Sequence, residues 1–184
     1  MTGDTSGAMR ALAFCAVFAL ISVTGCGAGV ARAPNTALAS ESGSAPDFQL
    51  DDVGGDRFVL SEHLGKSVVV LDFWATWCDP CKVELPRLAE LHEKFRARGL
   101  VMVGIAVDGP ETIAQVRGEV RQLRIPFRVL LDQESRVVAM YNPRRSAPYV
   151  VVIDRGGRIV HRHEGYTPGD EVGLAREIEL ALAE

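Results

Sequence analysis

Two cysteines three positions apart, Cys78 and Cys81, sit in the run D-F-W-A-T-W-C-D-P-C-K-V-E-L-P at residues 72–86, and their spacing implies redox chemistry. Residues i and i+3 are neighbours on one helix face, so the two sulfurs can close a small disulfide ring with little backbone movement. A thiol at the first turn of a helix is also more acidic than a free one, because unsatisfied N–H groups and the helix dipole favour the thiolate. Cys78 is expected at that turn, exposed, with Cys81 a turn further in. A dithiol that opens and closes follows, Cys78 attacking and Cys81 resolving.

The elements that must position this pair can be read on either side of it. Residues 67–74 are nearly all β-branched, aromatic or apolar, as in a central strand covered by helices on both faces. From Asp79 the spacing of Leu85, Leu88, Leu91 and Phe95 predicts an amphipathic helix, with Pro80 in its first turn and Gly99 as its stop. Pro86 interrupts that helix without a local reason. Upstream, 48–50 and 57–60 flank a Gly-rich turn and read as a β-hairpin. Downstream come a strand at 100–107, a helix at 111–123, a strand at 127–131 and a short helix at 135–141. A strand pair at 149–153 and 158–163 and a final helix at 169–183 complete the chain. The order predicts an α/β fold, one mixed sheet flanked by helices, with an N-terminal β-hairpin.

Asp72 is the anomaly within the predicted central strand. Flanked by Leu71 and Phe73, it should be buried, which would raise its pKa and make it a proton acceptor; the alternative is a solvated strand end. Glu84, one turn after Cys81, is either a second acceptor or part of a solvated helix face.

The chain has 184 residues, a formal net charge of −4, 47% hydrophobic and 24% charged residues, the profile of one globular domain plus a tail. No basic cluster marks it as a nucleic-acid binder. Arg10 precedes a small, apolar run at 11–23 that is too short to span a bilayer and has the character of a secretory h-region. It ends in Val23-Thr24-Gly25-Cys26, which resembles a bacterial lipobox, so Cys26 is expected to carry acyl chains; an ordinary cleavage site leaving a free thiol is the alternative. The expected organisation is a lipoprotein-type signal peptide at 1–25, a lipid-anchored flexible tether at 26–45 rich in small and polar residues, and a folded domain at 46–184.

With these pieces placed, the chain resembles the thioredoxin fold, and within it the membrane-anchored TlpA/ResA-like thiol–disulfide oxidoreductases. Trp77-Cys78-Asp79-Pro80-Cys81 matches that family's W-C-x-P-C, Glu84 and Pro86 its E-x-P, Phe73-Trp74 its F-W, and Pro148 its cis-proline. The resemblance implies a thioredoxin-like fold, no cofactor, catalysis by Cys78 and Cys81 with Glu84, and a substrate-binding rim of Trp77, Ala147 and Pro148. A cis bond there would present the Ala147 backbone to an extended substrate segment. It also implies protein thiol or disulfide partners outside the cytoplasm and an upstream membrane electron donor. Two features depart from the pattern: Asp72 where many extracytoplasmic members carry an uncharged residue, and the polar, basic approach to Pro148, Asn142-Pro143-Arg144-Arg145-Ser146-Ala147.

Asp79 places a negative charge beside Cys78, which opposes the thiolate and points to a reducing couple. Competing readings remain. Half a zinc site could be completed by His161 and His163, although solvent-facing histidines explain them as well. A haem attachment motif would need histidine where Lys82 stands. A peroxiredoxin-like thiol peroxidase, with antioxidant activity, shares the fold but places threonine three residues before its cysteine, where this chain has Ala75. A copper-delivery module on the fold needs three residues between its cysteines, not two.

Overall fold

A computed structural model describes residues 43–184. The expected signal peptide, Cys26 and most of the tether lie outside them. Strands β1 (Gln49–Asp51) and β2 (Arg57–Val59) form an antiparallel hairpin, followed by a 3₁₀ turn at Leu60–Glu62. The main sheet contains β3 (Val68–Trp74), β4 (Leu100–Ala106), β5 (Arg128–Leu131), β6 (Tyr149–Ile153) and β7 (Ile159–Glu164) in the order β5-β4-β3-β6-β7. Helices α1 (Asp79–Phe95), α2 (Ile113–Gln122), α3 (Arg136–Tyr141) and α4 (Asp170–Ala183) pack around it. β3 pairs parallel with β4 and antiparallel with β6, so the sheet is mixed, as the α/β expectation required.

All seven residues of β3 are buried, and their alternation divides the core. Val68, Val70 and Trp74 belong to a cluster with Leu85, Leu88 and Phe95 of α1 and Leu174 and Ile178 of α4. Val69, Leu71 and Phe73 belong to a second cluster with Phe48, Phe58, Leu60 and Tyr141. The second face is therefore closed largely by the hairpin and the short α3, not by long helices on both sides. Aromatic side chains make this possible, because each covers far more sheet than an aliphatic one. The Tyr141 hydroxyl donates to the Pro46 carbonyl and ties α3 to the hairpin. The packed chain also starts earlier than Pro46: Ile159 N–H donates to the Gly43 carbonyl, and Ala45 N–H donates to Gly157.

α1 continues through Pro86. An interior proline costs about 3 kcal/mol, whereas each fully buried leucine contributes about 1.5–3 kcal/mol; Leu85, Leu88 and their neighbours outweigh the interruption. A 3₁₀ turn at Arg96–Arg98 then ends in Gly99, whose φ of 98° is left-handed and suits glycine. Gly104 has a different purpose: a Cβ there would lie 3.2 Å from Trp74 Nε1 and 3.4 Å from Phe127. Its bare backbone leaves room for the Trp74 indole at the position that pairs with Asp72.

Candidate redox site

The junction between β3 and α1 places the cysteines. Cys78 is the N-cap of α1, with extended backbone, and its Sγ accepts a hydrogen bond from the Cys81 N–H at 3.2 Å. Pro80 sits in the first turn, where its missing N–H would have had no helical partner in any case. Cys78 and Cys81 are joined in a disulfide, with their Cα atoms 5.3 Å apart. The expected exposure of Cys78 needs correction: in the disulfide form it is only 4% exposed, against 0% for Cys81. In the closed ring the outer sulfur lies against the first turn, so the two differ little in exposure.

Two carboxyls lie in the interior near the pair. Asp72, on the same face of β3 as Val70 and Trp74, is fully buried, and neither of its oxygens has a hydrogen-bond partner. Glu84 follows Cys81 by three residues on the buried face of α1, is 4% exposed, and leaves Oε2 without a partner. An isolated carboxylate in such surroundings is costlier than a neutral acid, so both hold protons tightly. Burial pushes Asp72 up to about 8. Burial raises Glu84 to about 9, with the charges of Asp72 and Asp170 adding to the effect. The solvated-face reading of Glu84 and the strand-end reading of Asp72 are thereby excluded as placements.

Residues 42–162 match the AhpC/TSA family. The chain belongs to this family. Among its relatives, the thiol-disulfide oxidoreductase ResA of Bacillus cereus is 34% identical over 118 residues, covering 64% of this chain and 66% of that one. ResA of Bacillus subtilis is 36% identical over 121 residues, covering 66% and 65%. The matches thus span about two thirds of those relatives' own length. A Chlorobium tepidum structure assigned as the thiol:disulfide interchange protein DsbE has 32% identity and a TM-score of 0.71, covering 77% of this chain and 96% of that one. The fold is thioredoxin-like, and these relatives are named for thiol–disulfide exchange.

Around the disulfide, Trp77 stands 65% exposed while Trp74 is wholly buried. Pro148 is joined to Ala147 by a cis bond. The segment enters β6 where Tyr149 pairs with Phe73, which brings it alongside the end of β3, and Ala147 packs against the core cluster that contains both cysteines. The polar loop before it is held by the buried Asn142, whose Nδ2 donates to the Ser146 carbonyl at 2.7 Å. Arg144 points outward and pairs with Glu164 at 3.4 Å, so part of the loop's positive charge is already answered.

Asp108 was not anticipated from sequence. Buried at the end of β4, it accepts from the Thr76 N–H at 3.0 Å and from the Thr76 hydroxyl. It pins the loop that delivers Trp77 and Cys78. A lone acid directly after an apolar parallel strand, at the carboxyl edge where α/β sites form, was the available signal. The solvent-facing expectation for the histidines holds only in part. His161 and His163 are half-buried, their rings stacked 6.3 Å apart, and they line a cavity shared with Glu84, while the His163 side chain stays 39% exposed. Asp170 of α4 lies against His163. Among the described residues, no group of three or more His, Cys, Asp or Glu side chains could hold a metal ion.

Proposed function

We propose that this protein is an extracytoplasmic thiol–disulfide oxidoreductase that reduces disulfides in protein partners. The observation that carries the reading is the Cys78–Cys81 disulfide at the N-cap of α1, backed by two buried carboxyls. In the reduced enzyme the Cys78 thiolate attacks a partner sulfur, forming a mixed disulfide and expelling the partner's other sulfur as a thiolate. Cys81 then loses its proton to Asp72 or Glu84 and attacks Cys78 Sγ. The enzyme disulfide closes, the second partner sulfur leaves, and two electrons have passed to the partner. Burial disfavours charge on both carboxyls, so either one, once ionised, takes a proton readily.

Trp77 offers the partner an exposed apolar surface, and the backbone of Ala147, before the cis bond to Pro148, offers a place for backbone pairing. Asp79, exposed beside Cys78, supports the reducing direction. The leader and Cys26 support export and attachment to a membrane through acyl chains, with a membrane electron donor restoring the dithiol; among the described residues no helix is long and apolar enough to cross a membrane.

The test is turnover of the purified dithiol form on a protein disulfide such as insulin, run beside hydrogen peroxide and Cu(I) titration. The account expects insulin reduction that depends on both cysteines. Rapid peroxide consumption without insulin reduction would favour the thiol peroxidase reading that the family name invites, although Ala75 stands where that motif wants threonine.

A further inference from the structure

The proton taken from Cys81 must leave a carboxyl that is buried, and the structure offers a route beside it. Glu84 lines a cavity of about 220 Å³ whose remaining walls include Val150, His161 and His163 from the sheet and Asp170 and Glu171 from α4. The volume admits several waters, and the walls supply the polar partners that waters need. Accessibility rises outward: Glu84 is 4% exposed, whereas the His163 and Asp170 side chains are 39% and 36% exposed. His163 Nε2 lies 3.2 Å from Asp170 Oδ2, an arrangement that orients the ring.

We propose that this cavity is the proton outlet of the redox site, with His163, steadied by Asp170 and stacked on His161, relaying the proton from Glu84 to solvent. The inference rests on Glu84 acting as the acceptor for Cys81. The bookkeeping is a proton transfer only: Cys81 S–H breaks, the Glu84 carboxyl carries the proton, an imidazole nitrogen receives it through cavity water, and bulk water takes it from the imidazolium. The relay residues act through Glu84, not on sulfur.

The charges facing this route come from every neighbouring element. Asp72 of β3 and Asp170 of α4 oppose ionisation of Glu84. Burial and His163 hold the His161 imidazolium down, while Glu177 favours it. Glu171 accepts from the Tyr166 hydroxyl at 2.9 Å, and Arg87 of α1 acts on both of those groups. Imidazole suits such a relay because one ring nitrogen can accept a proton while the other donates one.

The test follows the reduced full-length protein reacting with dithiobisnitrobenzoate, whose coloured thiol is released once when Cys78 attacks and again when Cys81 resolves. In the His161→Gln/His163→Gln double variant, near neutral pH, the first release should be unchanged and the second slowed about tenfold. Added imidazole should restore the second phase. Asp170→Asn, which keeps both rings, should slow it less. A second phase that is unchanged, or slowed without imidazole rescue, or slowed together with the first, overturns the outlet. Glu84→Gln is run alongside: if it leaves the second phase intact, the acceptor reading fails and the outlet with it. If it slows that phase while the histidine variant does not, only the outlet fails.

Discussion

The Cys81 N–H points at Cys78 Sγ across 3.2 Å, so the first turn of α1 is aimed at the outer sulfur of the pair. When the ring opens, the same turn favours negative charge on Cys78, while Cys81 lies one turn before the buried Glu84. Asp79, the first residue of α1, works against that field. Asp79→Asn should lower the Cys78 pKa and shift the couple toward oxidation by on the order of ten millivolts, read by equilibration with glutathione. A shift in the reducing direction contradicts the electrostatic argument.

Asp72 carries a stability cost with a defined sign. Its folded pKa of about 8 lies above the ordinary carboxylate value, so between these limits the folded state holds a proton that the unfolded chain has released. Asp72 should therefore take stability from the disulfide form as pH rises from about 4 to 8, with Glu84 extending the loss toward 9. Asp72→Asn should make the profile shallower and raise Tm at the alkaline end, the gap closing toward the acidic end. Thermal melts across that range decide it.

The same raised values set the kinetic window. A carboxyl accepts a proton only when ionised, so help from Asp72 and Glu84 grows with pH toward 8 and 9, higher than unperturbed acids would place it. Asp72→Asn and Glu84→Gln should each slow resolution most near pH 8, by about ten- to a hundredfold. Two unchanged pH–rate profiles would remove the acceptor role from both.

Asp108 is expected to matter for both fold and rate. Asp108→Ala leaves two Thr76 donors without their acceptor and should cost about 2 kcal/mol, with slower attack by Cys78 because its loop is no longer pinned. Thr76→Val, which keeps the backbone donor, should cost less. Equal loss from both would show that the hydroxyl alone matters.

Trp77 should be nearly silent in stability, since most of its side chain is already in water. Trp77→Ala should leave Tm within about a degree yet raise KM for protein substrates several-fold, with small disulfides unaffected. A matching loss on small disulfides would make Trp77 part of the sulfur chemistry rather than of partner binding.

Much of this site was legible because its signals are local. The cysteine spacing, the N-cap position, Pro80 and the apolar run around Asp72 lie within a few residues of one another, and helix and strand periodicity projects them correctly. Asp108 was not, because its partner Thr76 is brought close only by the β3–β4 pairing. The surroundings of His161 and His163 depend on α4 residues such as Asp170 sharing their cavity, and the cover on the second sheet face depends on Phe48, Phe58 and Tyr141 meeting from distant segments. The burial of Cys78 in the disulfide form likewise follows from ring closure, which spacing permits but does not depict.

The central claim, that Cys78 attacks and Cys81 resolves, is tested most directly by trapping. Cys81→Ser, expressed with its leader in the native host, should accumulate dithiothreitol-sensitive covalent complexes with partner proteins, and Cys78→Ser should accumulate few or none. Non-reducing gels probed for this protein give the answer. If Cys78→Ser traps partners as readily as Cys81→Ser does, the assignment of the two sulfurs is wrong.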